Sequence, residues 1–357
     1  MTTSARMKKI QAVSLILGLT LFVGLLYSVG VGNIFQSLQL VGSGFLILIL
    51  VSGVRHLLRA VAWMKCIEEG QRKRIGLFEL FNVRLAGEAI RYVSFTGPLL
   101  GEPSKAALIR KRLPMVHGLS SVIVENLTYT LGAILITISG MALLLVKFTL
   151  SSGIKVMGVV ITLFMVAAAV IAQRAIARRS FALTRLIQWL GKVTGKEWFQ
   201  KKVGGAQSVE ENIYDFYNHR GSTFFLVLTL ELSAHFTNIL EVYLILRFIG
   251  ARATVTASFI IEAMMKLVNF VFFFVPGQVG VFEGGNALLL KALGLGLAAG
   301  VTLALVEKIR TLAWTAYGLL ALMFAFRKDA GASSVEHGRD GGGIGSSDSG
   351  AEVNMSA

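Results

Sequence analysis

Glu88-Ala89-Ile90-Arg91, Phe95-Thr96-Gly97-Pro98 and Gly101-Glu102-Pro103-Ser104-Lys105 form the stretch on which the fold turns. They interrupt an otherwise apolar chain with charges, glycine and proline. A second stretch repeats the pattern: Glu262-Ala263-Met264-Met265-Lys266, Phe274-Val275-Pro276-Gly277 and Glu283-Gly284-Gly285-Asn286. Each has a Glu and a cation one helical turn apart, a Gly/Pro break, and a second Glu. Ionisable residues at membrane depth are costly without a partner or water. Interrupted helices in corresponding halves of a membrane chain point to a transporter binding site.

The surrounding composition sets the solvent. The 357 residues are 54% apolar, with a mean hydropathy of +0.69. Full spans are expected at about 10–30, 43–64, 117–147, 154–173, 222–248 and 297–326, each near the ~20 residues that cross a hydrocarbon core. The N-terminal Arg6, Lys8, Lys9 and the apolar run after them resemble a signal peptide. The run is long for one, and no Ala-x-Ala site follows, so an uncleaved first span is the better reading.

The net charge of +15 does not signal nucleic acid. The cations cluster beside the apolar spans, as in Arg72-Lys73-Arg74, Arg110-Lys111-Arg112 and Arg327-Lys328. That is the positive-inside pattern, which orients the chain and meets anionic lipid. Cys66, the single cysteine, permits no intrachain disulfide and reads as inert. No His/Cys cluster suggests a metal, and no cofactor fingerprint stands in a fitting context.

The expected fold is therefore an all-α polytopic membrane protein with about six full spans and two re-entrant helix hairpins in an inverted repeat. The hairpins cover about 76–113 and 256–295. Irregular backbone at such depth is tolerated only within protein or beside a wet cavity. Counting cations puts both termini in the cytoplasm of a bacterial-type plasma (inner) membrane, with the first hairpin entering from inside and the second from outside. One membrane domain spans 1–328. Within it, 174–221 is an amphipathic cytoplasmic connector. The Gly- and Ser-rich 329–357 reads as a disordered cytoplasmic tail.

The candidate site follows from the charges. Glu88 and Arg91, Gly101, Glu102 and Lys105, Glu125, Pro276, Glu283, Asn286, Glu307, Lys308 and Arg310 are read as lining a headgroup path, with Gly277, Gly280, Gly284 and Gly285 letting backbone approach the ligand. Arginine can hold two phosphate oxygens, and broken helices offer free N–H groups. Glu231 and His235 share a helical face with Asn238 and Glu241, and are candidates for proton coupling. Two readings stand for each stripe: ions that pair to hold helices together, or a polar cavity. A lone intramembrane His is more often a packing residue than a proton carrier. Val124-Glu125-Asn126 follows Glu102 much as Val306-Glu307-Lys308 follows Glu283, which extends the repeat past the hairpins.

Gly101-Glu102-Pro103-Ser104-Lys105-Ala106, Val124-Glu125-Asn126, Pro276 through Gly284 and Arg310-Thr311-Leu312-Ala313-Trp314 resemble the lysylphosphatidylglycerol synthase transmembrane-domain family, also called flippase-like, over roughly 8–326. Two positions depart from its pattern: Gln278 stands where a second glycine is usual, and Asn126 where Arg is frequent. The resemblance implies a stand-alone member without the aminoacyltransferase domain of bifunctional relatives, so lysyl transfer from tRNA is not expected. It implies a non-enzymatic transporter moving an anionic or glycosylated lipid between leaflets. The alternatives are an accessory subunit of a glycosyltransferase or other lipid-pathway enzyme, and an intramembrane enzyme acting on a lipid headgroup. The expected partner is membrane lipid, with no nucleic acid and no cofactor.

Overall fold

A computed structural model describes residues 31–93, 97–147, 152–272 and 280–340. Among these are thirteen helices: α1 Val31–Val41, α2 Gly44–Cys66, α3 Glu69–Arg72, α4 Leu77–Val93, α5 Gly97–Leu108, α6 Met115–Lys147, α7 Ser152–Ala177, α8 Ala182–Thr194, α9 Glu197–His219, α10 Gly221–Phe248, α11 Val255–Val271, α12 Val281–Ala292 and α13 Leu297–Asp340. No strand occurs among the described residues.

Four helices are long and apolar enough to cross a membrane: α2, α6, α10 and the Lys155–Ile176 part of α7. They match the expected spans at 43–64, 117–147, 222–248 and 154–173. The expected span at 10–30 lies outside the described residues. The one at 297–326 is helical within α13, although Glu307, Lys308 and Arg310 interrupt its apolar run. This is a multi-pass helical membrane protein. α13 continues to Asp340, past the boundary at 328 where the sequence reading began a disordered tail. No proline stops it, and Ala330, Ala332 and Glu336 favour helix. Residues 341–357 lie outside the described residues.

The spans are built inside out. On α2, Leu46, Leu50, Val54 and Leu57 are exposed, while Leu48, Ser52, His56, Ala60 and Trp63 are buried. In lipid, an apolar residue gains little by turning inward, so large aliphatics can fill the exposed face while the small and polar groups Ser52, His56 and Ala60 stand on the buried one. Lipid-facing hydroxyls satisfy themselves within their own helix: Thr229, Ser233 and Thr237 each donate to the carbonyl four residues back, at 2.9 Å.

α2 and α10 form a central antiparallel pair. Gly44 lies against the Phe248 ring at one end, and Arg59 reaches Glu231 towards the other. Apolar clusters seal both ends. One joins Val41 and Leu48 to Leu246, Ile261, Leu290 and Leu303. Another joins Trp63 and Ile67 to Leu80, Ala106, Ile109 and Val122. The helix pair α4–α5 thus packs at one end of α2 and the pair α11–α12 at the other.

Residues 94–96 and 273–279, where the sequence leads one to expect the turns of the two hairpins, lie outside the described residues, and Pro276 and Gly277 fall among them. The arms on either side are described. Gly87 lies against Gly101 and Lys105, and Gly101 against Arg91. Gly285 lies against Met265 and Val268.

The hairpins do not pack broadly on one another; α13 joins them. Gly300 touches the backbone of Asn286 and Ala287 in α12, and Gly318 touches the Leu85 carbonyl and Ala89 in α4. A β-carbon at either glycine would collide with backbone. The two glycines are eighteen positions apart, or about 27 Å of helix, close to a ~30 Å hydrocarbon core. α6 has the matching role: Gly118 meets Ala106 of α5 and Ile109 just after it, and Gly140 meets Ala263 of α11.

Candidate functional site

Between the apolar ends lies a layer of buried charge, organised around Arg59. Its position on α2 places it one turn from Arg55 and beside His56, on the face opposite the lipid-exposed leucines. Its guanidinium donates to Glu125 Oε1 at 2.7 Å, lies 3.2 Å from Glu231 Oε2 and 4.0 Å from Glu88 Oε1. It also stacks on the Tyr129 ring, 3.7 Å from its centroid, where the π-face attracts a cation.

Arg84, from α4, closes the same cluster. It donates to Glu125 at 2.9 Å and to Glu88 at 2.5 Å, and it is completely buried. Four helices therefore meet at two guanidiniums and three carboxylates. A planar guanidinium has five donors and can address several carboxylates at once, which an ammonium cannot do in the same geometry. Neither Glu231 oxygen accepts a hydrogen bond in this arrangement; charge alone ties it to Arg59.

A second group sits further along α2 and α10. Arg55 donates to Asn238 Oδ1 and lies 3.9 Å from Glu241. Glu241 also pairs closely with Arg310 of α13. Trp314 donates to Ser52 Oγ at 2.8 Å, and its ring meets His56 edge-on at 4.9 Å. His56 Nδ1 is 3.6 Å from Glu88, linking the two groups.

Each hairpin contributes one carboxylate on its second arm. In α5, Glu102 accepts from Lys105 at 2.7 Å and from Asn126 of α6. In α12, Glu283 pairs with Lys308 of α13 and caps its own helix by accepting from Gly280 N–H at 2.8 Å. Gly280 has φ +82°, a conformation that favours glycine. Glu102 and Asn126 are 24 residues apart, and Glu283 and Lys308 are 25 apart. Both contacts therefore join the second arm of a hairpin to the residue following Glu125 or Glu307. A cavity of about 310 Å³ opens beside Glu102, lined by Leu119, Val122, Ile123, Asn126 and Leu127.

The sequence-read residues thus sort into three places. Glu88, Glu125 and Glu231 converge on Arg59. Gly101, Glu102 and Lys105 stand at one hairpin. Glu283, Asn286 and Lys308 stand at the other, where buried Asn286 donates to Phe282 O at 3.1 Å. Arg310 joins the central layer, and Glu307 is buried beside it in α13. Arg91 is exposed. His235 sits against Gly132 and on the Tyr129 ring at 4.4 Å, with Nε2 3.2 Å from the Tyr129 carbonyl oxygen. That is the packing geometry rather than contact with an acid.

Three of the four cations expected to receive phosphate are already occupied: Lys105 by Glu102, Lys308 by Glu283 and Arg310 by Glu241, while the fourth, Arg91, is exposed. Arg55 and Arg59, the organising cations, were missed in the sequence. Their signal was present: two arginines one turn apart within a span, which partner-free packing would not tolerate.

Outside the layer, α9 docks on α6. Tyr217 Oη lies 3.3 Å from Thr128 Oγ1, and burial pushes the Tyr217 hydroxyl up to about 12, so it stays protonated there.

The comparisons agree with the motifs. The family model described as the lysylphosphatidylglycerol synthase TM region matches residues 11–318. No curated protein and no solved structure matches the chain.

Proposed function

We propose that this chain, which belongs to the lysylphosphatidylglycerol synthase TM-region family and so to membrane lipid chemistry, is a non-enzymatic transporter that moves a lipid between leaflets. The observation that carries this reading is the pair of matching contacts, Glu102 with Asn126 and Glu283 with Lys308, at opposite ends of one buried ion layer. In this reading the two hairpins are re-entrant, and they enter from opposite faces as parts of an inverted repeat. Counterparts lie 181 or 182 residues apart: Glu102 and Glu283, Gly118 and Gly300, Glu125 and Glu307. The packing supports the repeat. Each post-hairpin helix contacts the second arm of its own hairpin and the first arm of the other. Both termini are then cytoplasmic, in a bacterial-type inner membrane.

Alternating access follows from rocking the hairpins about the α2–α10 pair. Acyl chains stay in bilayer while the headgroup crosses the layer. The cavity beside Glu102 has apolar walls and a carboxylate rim, which suits a chain–headgroup junction. Of the two expected headgroup classes, a glycosylated one fits better. Its hydroxyls can donate to Glu102 and Glu283, whereas an anion must displace a carboxylate from Lys105, Lys308 or Arg310, or settle for the exposed Arg91. Glu231, held by charge alone, remains the candidate for proton coupling.

The test is a leaflet-resolved lipid assay on purified protein in liposomes, comparing the wild type with Glu283→Gln/Arg310→Ala. Faster movement by the wild type with unchanged headgroup mass supports transport. Equal rates sink it, and a new headgroup mass favours an intramembrane enzyme.

A further inference from the structure

α8 carries a surface that the transport reading does not use. Leu183, Leu186, Trp189 and Val193 recur every three or four residues and are exposed together, as is Trp198 at the start of α9. The opposite side of α8 is the one that packs: Thr184 and Gly191 are buried against α9. The exposed arc is therefore not the helix's contact with its own protein.

The orientation of this arc is built in. Buried Glu210 of α9 accepts from Leu183 N at 2.7 Å, Thr184 N at 3.1 Å and Thr184 Oγ1 at 2.6 Å. It caps the N-terminus of α8 from a neighbouring helix, where a carboxylate is favoured. Tyr214 Oη accepts from Phe181 N at 2.9 Å. The corner before α8 contains two non-glycine residues with positive φ, Arg179 at 45° and Phe181 at 46°. Such backbone persists only when its surroundings fix it.

Charge and connectivity identify what covers the arc. Between residues 174 and 202 stand eight Lys or Arg and one Glu. Arg185 and Lys192 flank the apolar arc, both exposed, where long cationic stems can lie along apolar surface with their heads at phosphate level. Only four residues, 178–181, separate α8 from the cationic end of α7, a membrane span. Tryptophans at the flank of an apolar arc suit the same boundary.

We propose that α8 is an in-plane dock for the anionic leaflet of the bilayer, its aliphatic and indole groups at the acyl boundary and its cations on lipid phosphates. Through α9 the dock is joined to α2 and α6, two of the helices that carry the ion layer. α9, which holds α8, places Asn212 at Ser120 of α6 (3.5 Å) and Tyr217 at Thr128. Immediately after α9, Arg220 donates to Lys65 O at the end of α2 at 2.9 Å.

The experiment uses the full chain with a nitroxide at Leu186→Cys or Gln188→Cys; the unsubstituted chain, whose Cys66 is buried, is the blank. Collision with oxygen and with a water-soluble nickel chelate gives membrane depth. The vesicles are phosphatidylcholine, alone or equimolar with phosphatidylglycerol. The expected result is an oxygen-accessible, nickel-protected label at 186 and a nickel-accessible one at 188, with greater depth at 186 in the anionic vesicles. Arg185→Glu/Lys192→Glu returns that depth to its phosphatidylcholine value. A nickel-accessible label at 186 overturns the proposal. So does equal depth in both vesicles, or a label shielded from both reagents, which would mean that a second copy or another protein covers the arc. None of these outcomes bears on whether the chain transports lipid.

Discussion

Arg59 lies within ion-pairing distance of three carboxylates from three other helices, so its loss is not a local event. Removing one partner from a buried ion cluster leaves uncompensated charge, and Arg59→Met should cost about 3–5 kcal/mol. The measurement is the unfolding midpoint of the detergent-purified protein. Arg59→Lys should recover only part of the loss, because one ammonium cannot reproduce the fork. Adding Glu231→Gln to Arg59→Met should give less than the summed penalty, since residues of one network do not add. The carboxylates of this cluster were legible because glutamate stands out in an apolar run. The arginines were not, because cations in a membrane chain are first counted towards topology. What distinguishes Arg55 and Arg59 is depth: eleven residues precede Arg55 within α2, about three turns from its start.

At the scale of the element, spans and breaks were readable, and contacts between helices were not. Hydropathy locates α2, α6, α7 and α10 because lipid imposes one rule over some twenty residues. It is silent on which glycine lets two backbones touch. Gly318 and Gly284 look alike in sequence, but Gly318 abuts the Leu85 carbonyl while nothing stands within 4 Å of a β-carbon at Gly284. Gly318→Leu should therefore lower folded yield and thermal stability sharply, with Gly300→Leu doing the same at the other hairpin. Gly284→Ala should be neutral or stabilise by about 0.5–1 kcal/mol, since alanine restricts the unfolded chain without meeting a neighbour. A thermal melt followed by size-exclusion chromatography separates these outcomes. A comparable loss in Gly284→Ala would mean that helix propensity, rather than close approach, sets the requirement.

For the whole molecule, the matched order of Glu102, Glu125, Glu283 and Glu307 made a repeat readable. The packing that supports the proposed repeat, two long helices each reaching both helix pairs, needed the fold. The two ends are alike in framework and unlike in chemistry. Where Glu102 meets the amide of Asn126, Glu283 meets the ammonium of Lys308. Exchanging them, Asn126→Lys with Lys308→Asn, should preserve the fold and alter the ratio of inward to outward lipid movement in the liposome assay. An unchanged ratio would mean that these positions serve packing alone. The amide–ammonium difference gives a near-symmetric frame a polarity. A headgroup presented to Glu102 can displace the neutral Asn126 while the Lys105 pair within α5 persists, whereas one presented to Glu283 must loosen the ion pair to α13 itself. In the transport reading, capture is then easier at one mouth than at the other, and exchanging the two side chains is expected to move that preference to the opposite mouth.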